Sequence, residues 1–137
     1  MASTVLMLLS AIILLGLGSI HLIYTFAGSR LKPRDAALQA RMSQVSPGLT
    51  SRTDMWRCWI GFNASHGMGA MLFGLVYGYL ALAHHGVLFD SAYLLVIGFL
   101  MLGGFLALGK AYWFNVPFLG TGVSLLCYLA SIVASWA

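Results

Sequence analysis

With 61% of its 137 residues hydrophobic and only 7% charged, this chain is far more apolar than a water-soluble domain, in which roughly 25% of residues carry charge. No soluble globule of this length hides so much apolar surface, so lipid is the solvent for most of the chain. Seven basic residues against three acidic ones give a net charge of +4, and membrane lipids, not nucleic acid, are the expected partners.

The first apolar run, Val5 to Phe26, has no basic residue before it. It is longer than the roughly 7–15 residues of a signal-peptide core, and no Ala-x-Ala site follows. It reads as a retained span. Three more follow, from Trp59 to Ala83, Ala92 to Leu108 and Phe118 to Trp136. A helix needs about 17–25 apolar residues to cross a bilayer core of about 30 Å, and the third run is at the short end. Backbone amides in lipid must be satisfied within the segment, which makes these runs helices. The expected fold is all-α: a four-transmembrane-helix antiparallel bundle forming a single integral membrane domain over residues 1–137.

Between the first two spans, residues 27–58 form the one sizeable polar region. Within it, "PRDAALQARMSQVSPGL" places Leu38, Met42, Val45 and Leu49 at helical spacing. Pro33 suits a first helical turn and Ser46-Pro47-Gly48 stops it, so a short amphipathic helix on the membrane surface is expected. Arg30, Lys32, Arg34, Arg41, Arg52 and Arg57 all lie in this connection, and Lys110 lies between spans three and four. All seven basic residues therefore fall on one face, which the positive-inside rule makes cytoplasmic. Both termini and the short "HHGVLFDS" connection are then expected on the extracytoplasmic side.

Small residues mark the contact faces of helices in lipid. Ala70, Gly74 and Gly78 form such a line below His66 in span two, and Gly120, Ser124, Ser131 and Ser135 do so in span four with Tyr128 on the line. Span three offers Gly98 and the pair Gly103-Gly104, and span one offers Gly16 and Gly18. These faces serve either within one chain or between copies in a homo-oligomer. Cys58 opens one apolar run and Cys127 lies inside another. At about 1.5 Å per residue the two differ in depth by on the order of 15 Å, too far for a disulfide. The absence of Cys-x-x-Cys and of any Cys/His cluster at zinc spacing argues against a thiol oxidoreductase and a metal site.

The informative residues are polar ones inside the spans. His21 precedes the cytoplasmic end of span one by nearly two turns, and His66 follows the cytoplasmic start of span two by as much. In antiparallel helices both imidazoles reach a similar depth, roughly 10 Å inside the interface. Asn63 lies one turn shallower than His66, and Tyr24 one turn shallower than His21. Intramembrane ionisable residues point to a functional site, although imidazole also serves as interhelical glue. The candidate ligand-binding set is His21, Asn63, His66 and Tyr24. His84 and His85, at the outer boundary, read as interfacial.

Three uses of that set follow. One is a site for a lipophilic small molecule whose polar end is oriented by the histidines and the asparagine near the cytoplasmic leaflet. Another is a histidine-based membrane enzyme, or a redox protein for quinone or for a b-type haem with His21 and His66 as axial ligands. The third is a purely structural subunit. In size the chain resembles the small multidrug-resistance transporters, but it lacks their glutamate in span one, which removes the proton-coupling residue. Arg57 and Asn63 at the start of span two are similar to part of the motif of the glutathione-transferase-like eicosanoid enzymes of membranes. Here His66 accompanies them and no glutamate does, so that resemblance implies an architecture and a trimer but no activity. Finally, "IHLIYTF" with "MWRCWIGFNASHGMGAMLFG" resembles an uncharacterised group of small bacterial four-span proteins. This covers the chain from its start to about Leu80 and implies a bacterial inner-membrane location without a reaction.

Overall fold

A computed structural model describes residues 1–136, and every regular element among them is a helix. Six helices follow in order: α1 (Ala2–Phe26), α2 (Ala36–Met42), α3 (Met55–Ala83), α4 (His85–Phe89), α5 (Ala92–Tyr112) and α6 (Asn115–Ser135). Four of these, α1, α3, α5 and α6, are long and apolar enough to cross a membrane, so the chain has the build of a multi-pass membrane protein.

The helices overrun several of the apolar runs, and polar side chains cap the starts of α3 and α5. Asp54 accepts the backbone N–H of Arg57 at 2.8 Å, which starts α3 four residues before Trp59. Ser91 accepts the N–H of Leu94 at the start of α5, and an extended Trp113 closes it beyond Leu108. Lys110 in that last turn complements the negative end of the helix dipole. Pro117 lies in the first turn of α6, where a missing N–H is harmless.

Two expectations need correction. The surface helix is shorter than the spacing suggested. Asp35 caps it by accepting from the Ala37 N–H, and the Gln44 N–H to Arg41 carbonyl bond ends it. Pro33, Val45 and Leu49 therefore lie outside α2. The "HHGVLFDS" segment is not a plain loop: it folds into α4, whose Leu88 and Phe89 are buried.

The chain divides into two units. The first comprises Met1–Leu17 and the chain from Ala70 onward. Its core joins Met7 and Leu14 of α1, Phe73 and Tyr77 of α3, Leu102 of α5 and Tyr128 of α6. The buried groups there include many small and hydroxylated ones. Ser10 and Ser124 meet Oγ to Oγ at 2.9 Å, and the Ser124 hydroxyl donates to the Ser10 carbonyl at 3.0 Å. Leu72, Leu82, Leu126 and Val133 are each more than half exposed. Polar-and-small inside with large aliphatics outside is the arrangement lipid requires, because the solvent itself is apolar and packing decides the contact. No buried side-chain N or O among the described residues lacks a hydrogen-bond partner, as a lipid-solvated core demands.

The glycines sort themselves on contact. A Cβ on Gly74 would stand 2.6 Å from the Ala11 carbonyl oxygen, and one on Gly120 would stand 2.9 Å from Leu17. A Cβ on Gly16, Gly103 or Gly104 would meet nothing within 4 Å, so these three do not mark contact faces within the chain. The second unit is Gly18–Gly69, and it holds His21, Asn63 and His66.

Candidate functional site: a histidine–asparagine cluster

Within the second unit, α1 and α3 approach closely at Gly18 and Gly67. A Cβ on Gly67 would stand 3.0 Å from the Leu22 Cγ and 3.1 Å from the Gly18 carbonyl oxygen. The missing side chain at 67 is what lets the two backbones approach. That approach brings His21 of α1 within reach of Asn63 of α3: Nε2 to Oδ1 is 3.1 Å.

The direction of this bond follows from the other end of the amide. Asn63 Nδ2 donates to the Trp59 carbonyl at 2.8 Å. A carbonyl only accepts, so the NH2 group must face Trp59 and Oδ1 must face His21. His21 therefore donates through Nε2–H. In the neutral imidazole the lone pair then resides on Nδ1. Asn63 itself is buried, with 6% exposure.

His66 lies one turn further along α3. Its ring meets that of His21 edge to face, with centroids 5.0 Å apart and planes at 67°. Phe62 stacks beside His66 at 6.5 Å and 17°, and is itself 67% exposed. Both imidazoles are half-buried, so the cluster reaches the surface of the helix pair beside an outward-facing phenyl ring.

Tyr24 sits elsewhere. Its ring takes the Arg30 guanidinium over its face at 5.0 Å, a cation–π contact at the polar connection, and no hydrogen bond joins it to His21, Asn63 or His66. The cluster is thus three residues, not four. Sequence reading missed Trp59 and Phe62. Trp59 supplies the carbonyl that orients Asn63, and its indole N–H donates to the Leu31 carbonyl at 2.9 Å. The four-residue spacing from Trp59 to Asn63 was the available signal. In the first unit, His84 pairs with Tyr79 at 3.2 Å and His85 with Ser3 at 3.1 Å.

Chemically, the cluster offers hydrogen-bonding groups without a carboxylate, since Asp35, Asp54 and Asp90 are the only acidic residues of the chain and none lies within a span. No group of three or more His, Cys, Asp or Glu side chains among the described residues is placed to hold a metal ion. A haem between His21 and His66 does not fit either. Axial imidazoles aim their nitrogens at one iron across a macrocycle, whereas these rings touch edge to face and one Nε2 is engaged by Asn63. Comparison with known protein families, curated proteins and solved structures finds no match to this chain, and the residues themselves carry the functional reading.

Proposed function

We propose that this is a multi-pass membrane protein that binds a lipophilic small molecule by its polar end at His21, Asn63 and His66. The observation that carries the reading is the third polar side chain. A tie between two helices is complete with the His21–Asn63 bond. His66 adds a second, half-buried imidazole against the first, at a depth where polar groups are costly to place. With Nε2–H committed to Asn63, His21 has its lone pair on Nδ1, so its preferred partner carries an O–H or N–H donor. A long-chain or polycyclic alcohol, or a quinol, answers that description.

In this reading the basic connections between α1 and α3 and between α5 and α6 face the cytoplasm of a bacterial cell, and both termini lie outside. The support is the placement of all seven lysines and arginines in or beside those two connections. The cluster then opens near the cytoplasmic leaflet of the inner membrane.

Native mass spectrometry of the purified protein tests the binding reading. A hydroxyl-bearing lipophile is retained by the wild type and lost from His66→Ala, with the melting temperature little changed. A bare wild-type protein, or an adduct indifferent to His66→Ala, sinks it. A structural role is the competing reading, favoured by the complete pairing of Asn63. It predicts that alanine substitution of His21, Asn63 or His66 alters only stability.

A further inference from the structure

Residues 45–55 form a loop whose ends are tied by a backbone bond, Met55 N–H to the Val45 carbonyl at 2.8 Å. Inside it, Thr50 N–H bonds the Pro47 carbonyl and Arg52 N–H bonds the Thr50 hydroxyl. The segment is therefore shaped, not slack. It borders an open surface hollow of about 270 Å³, mostly polar, whose lining includes Arg52, Arg57, Ser46, Ser51, Thr53 and Asp54.

We propose that this hollow binds the headgroup phosphate of an anionic phospholipid. Two guanidinium groups line one small space, and forked donors of this kind match phosphate oxygens. No hydrogen bond or ion pair to another described residue engages the Arg52 side chain; only its backbone N–H is bonded, to the Thr50 hydroxyl. Arg57 commits Nε to Asp54 at 3.4 Å, which leaves its two terminal amino groups to donate. The one carboxylate in the lining is already spoken for: its Oδ1 accepts the Arg57 backbone N–H as the cap of α3, and its Oδ2 faces Arg57 Nε. The serine and threonine hydroxyls add neutral donors around the same space.

The source of the phosphate follows from position. Asp54 caps α3, one of the helices long enough to span a membrane, so the hollow lies where that span leaves the bilayer. Leu49, on the same loop, is 95% exposed. An almost fully exposed aliphatic side chain beside a cationic hollow suits insertion among acyl chains with the headgroup alongside. The site is separate from the His21–Asn63–His66 cluster and does not rest on the reading of it.

Native mass spectrometry in a neutral detergent, with phosphatidylglycerol or phosphatidylcholine added, tests the assignment. Phosphatidylglycerol is retained several-fold better than phosphatidylcholine. Arg52→Gln and Arg57→Gln each reduce that retention several-fold at unchanged melting temperature, whereas Arg34→Gln, outside the hollow, leaves it intact. An equal loss in Arg34→Gln means diffuse attraction and overturns the site, as does equal retention of the two lipids. Displacement of phosphatidylglycerol by millimolar inorganic phosphate identifies a free-phosphate site and overturns the lipid assignment. If Arg52→Gln fails to fold, Ser51→Ala with Thr53→Ala removes hydroxyl donors from the same space and must lower retention.

Discussion

Gly98 lies directly against the phenol of Tyr128, and a Cβ there would stand 2.8 Å from Tyr128 Cζ and 2.8 Å from Tyr77 Cε1. Neither ring has room to give. Tyr128 donates to the Leu95 carbonyl at 2.7 Å and Tyr77 to the Leu94 carbonyl at 2.6 Å, and both rings are buried. Gly98 is thus the socket on α5 for two tyrosines from α3 and α6. Gly98→Ala should lower stability by about 1–3 kcal/mol, the usual penalty of overpacking, and thermal unfolding in detergent measures it. A melting temperature equal to the wild type would falsify the socket.

The other glycines supply an internal control. Gly74→Ala drives a methyl into the backbone of α1 at the Ala11 carbonyl, which has no rotamer to change. Gly78→Ala, on the same line of α3, meets the Ala11 Cβ at 3.5 Å, an ordinary contact. Gly103→Ala and Gly104→Ala enter open space. Ranked by melting temperature, Gly74→Ala should fall well below the wild type. Gly78→Ala, Gly103→Ala and Gly104→Ala should match it or exceed it, since alanine favours helix over glycine by up to about 1 kcal/mol. A uniform response across the four means that contact does not decide their roles.

That contrast shows what the sequence holds and what it withholds. The four spans are legible because twenty or so apolar residues in a row have one solution in lipid. The small-residue lines are legible too, as candidates. Which member of a line touches a neighbour is not, because Gly74 and Gly104 look alike until two backbones are placed. The same holds at the cluster. His21, Asn63 and His66 stand out by being polar in apolar runs, but the direction of the His21–Asn63 bond depends on the Trp59 carbonyl. Tyr24 lies one turn from His21 by counting along α1, yet its ring faces the Arg30 guanidinium instead. The five-residue helix α4 escaped because its Gly86 and Asp90 carry turn chemistry, while burial of Leu88 decides its structure.

The proposed orientation rests on the charges and is open to chemical labelling. In a background with Cys58 and Cys127 changed to serine, single cysteines are placed in α2 by Ala40→Cys and beside α4 by His84→Cys, both at exposed positions. A membrane-impermeant maleimide should label the first only in inside-out vesicles and the second only in intact cells. The reverse pattern inverts the topology. Labelling of both from one side rules out an odd number of crossings between them.

The last prediction separates the two uses of Asn63. Asn63→Leu leaves the His21 N–H without its acceptor inside the membrane, which should cost about 1–3 kcal/mol. His21→Phe alone leaves the Asn63 oxygen unpaired to similar effect. The double variant removes both partners, so the losses should not add, and the coupling should be on the order of 0.5–2 kcal/mol as for other hydrogen bonds between membrane helices. Additive losses show that the 3.1 Å contact contributes nothing to stability. For binding, the expected pattern is different. Asn63→Leu no longer confines the imidazole proton to Nε2, so discrimination between an alcohol and its methyl ether should weaken before affinity disappears. His66→Ala should abolish retention while leaving the His21–Asn63 coupling unchanged. A variant set in which binding and coupling always fall together assigns the cluster to structure alone.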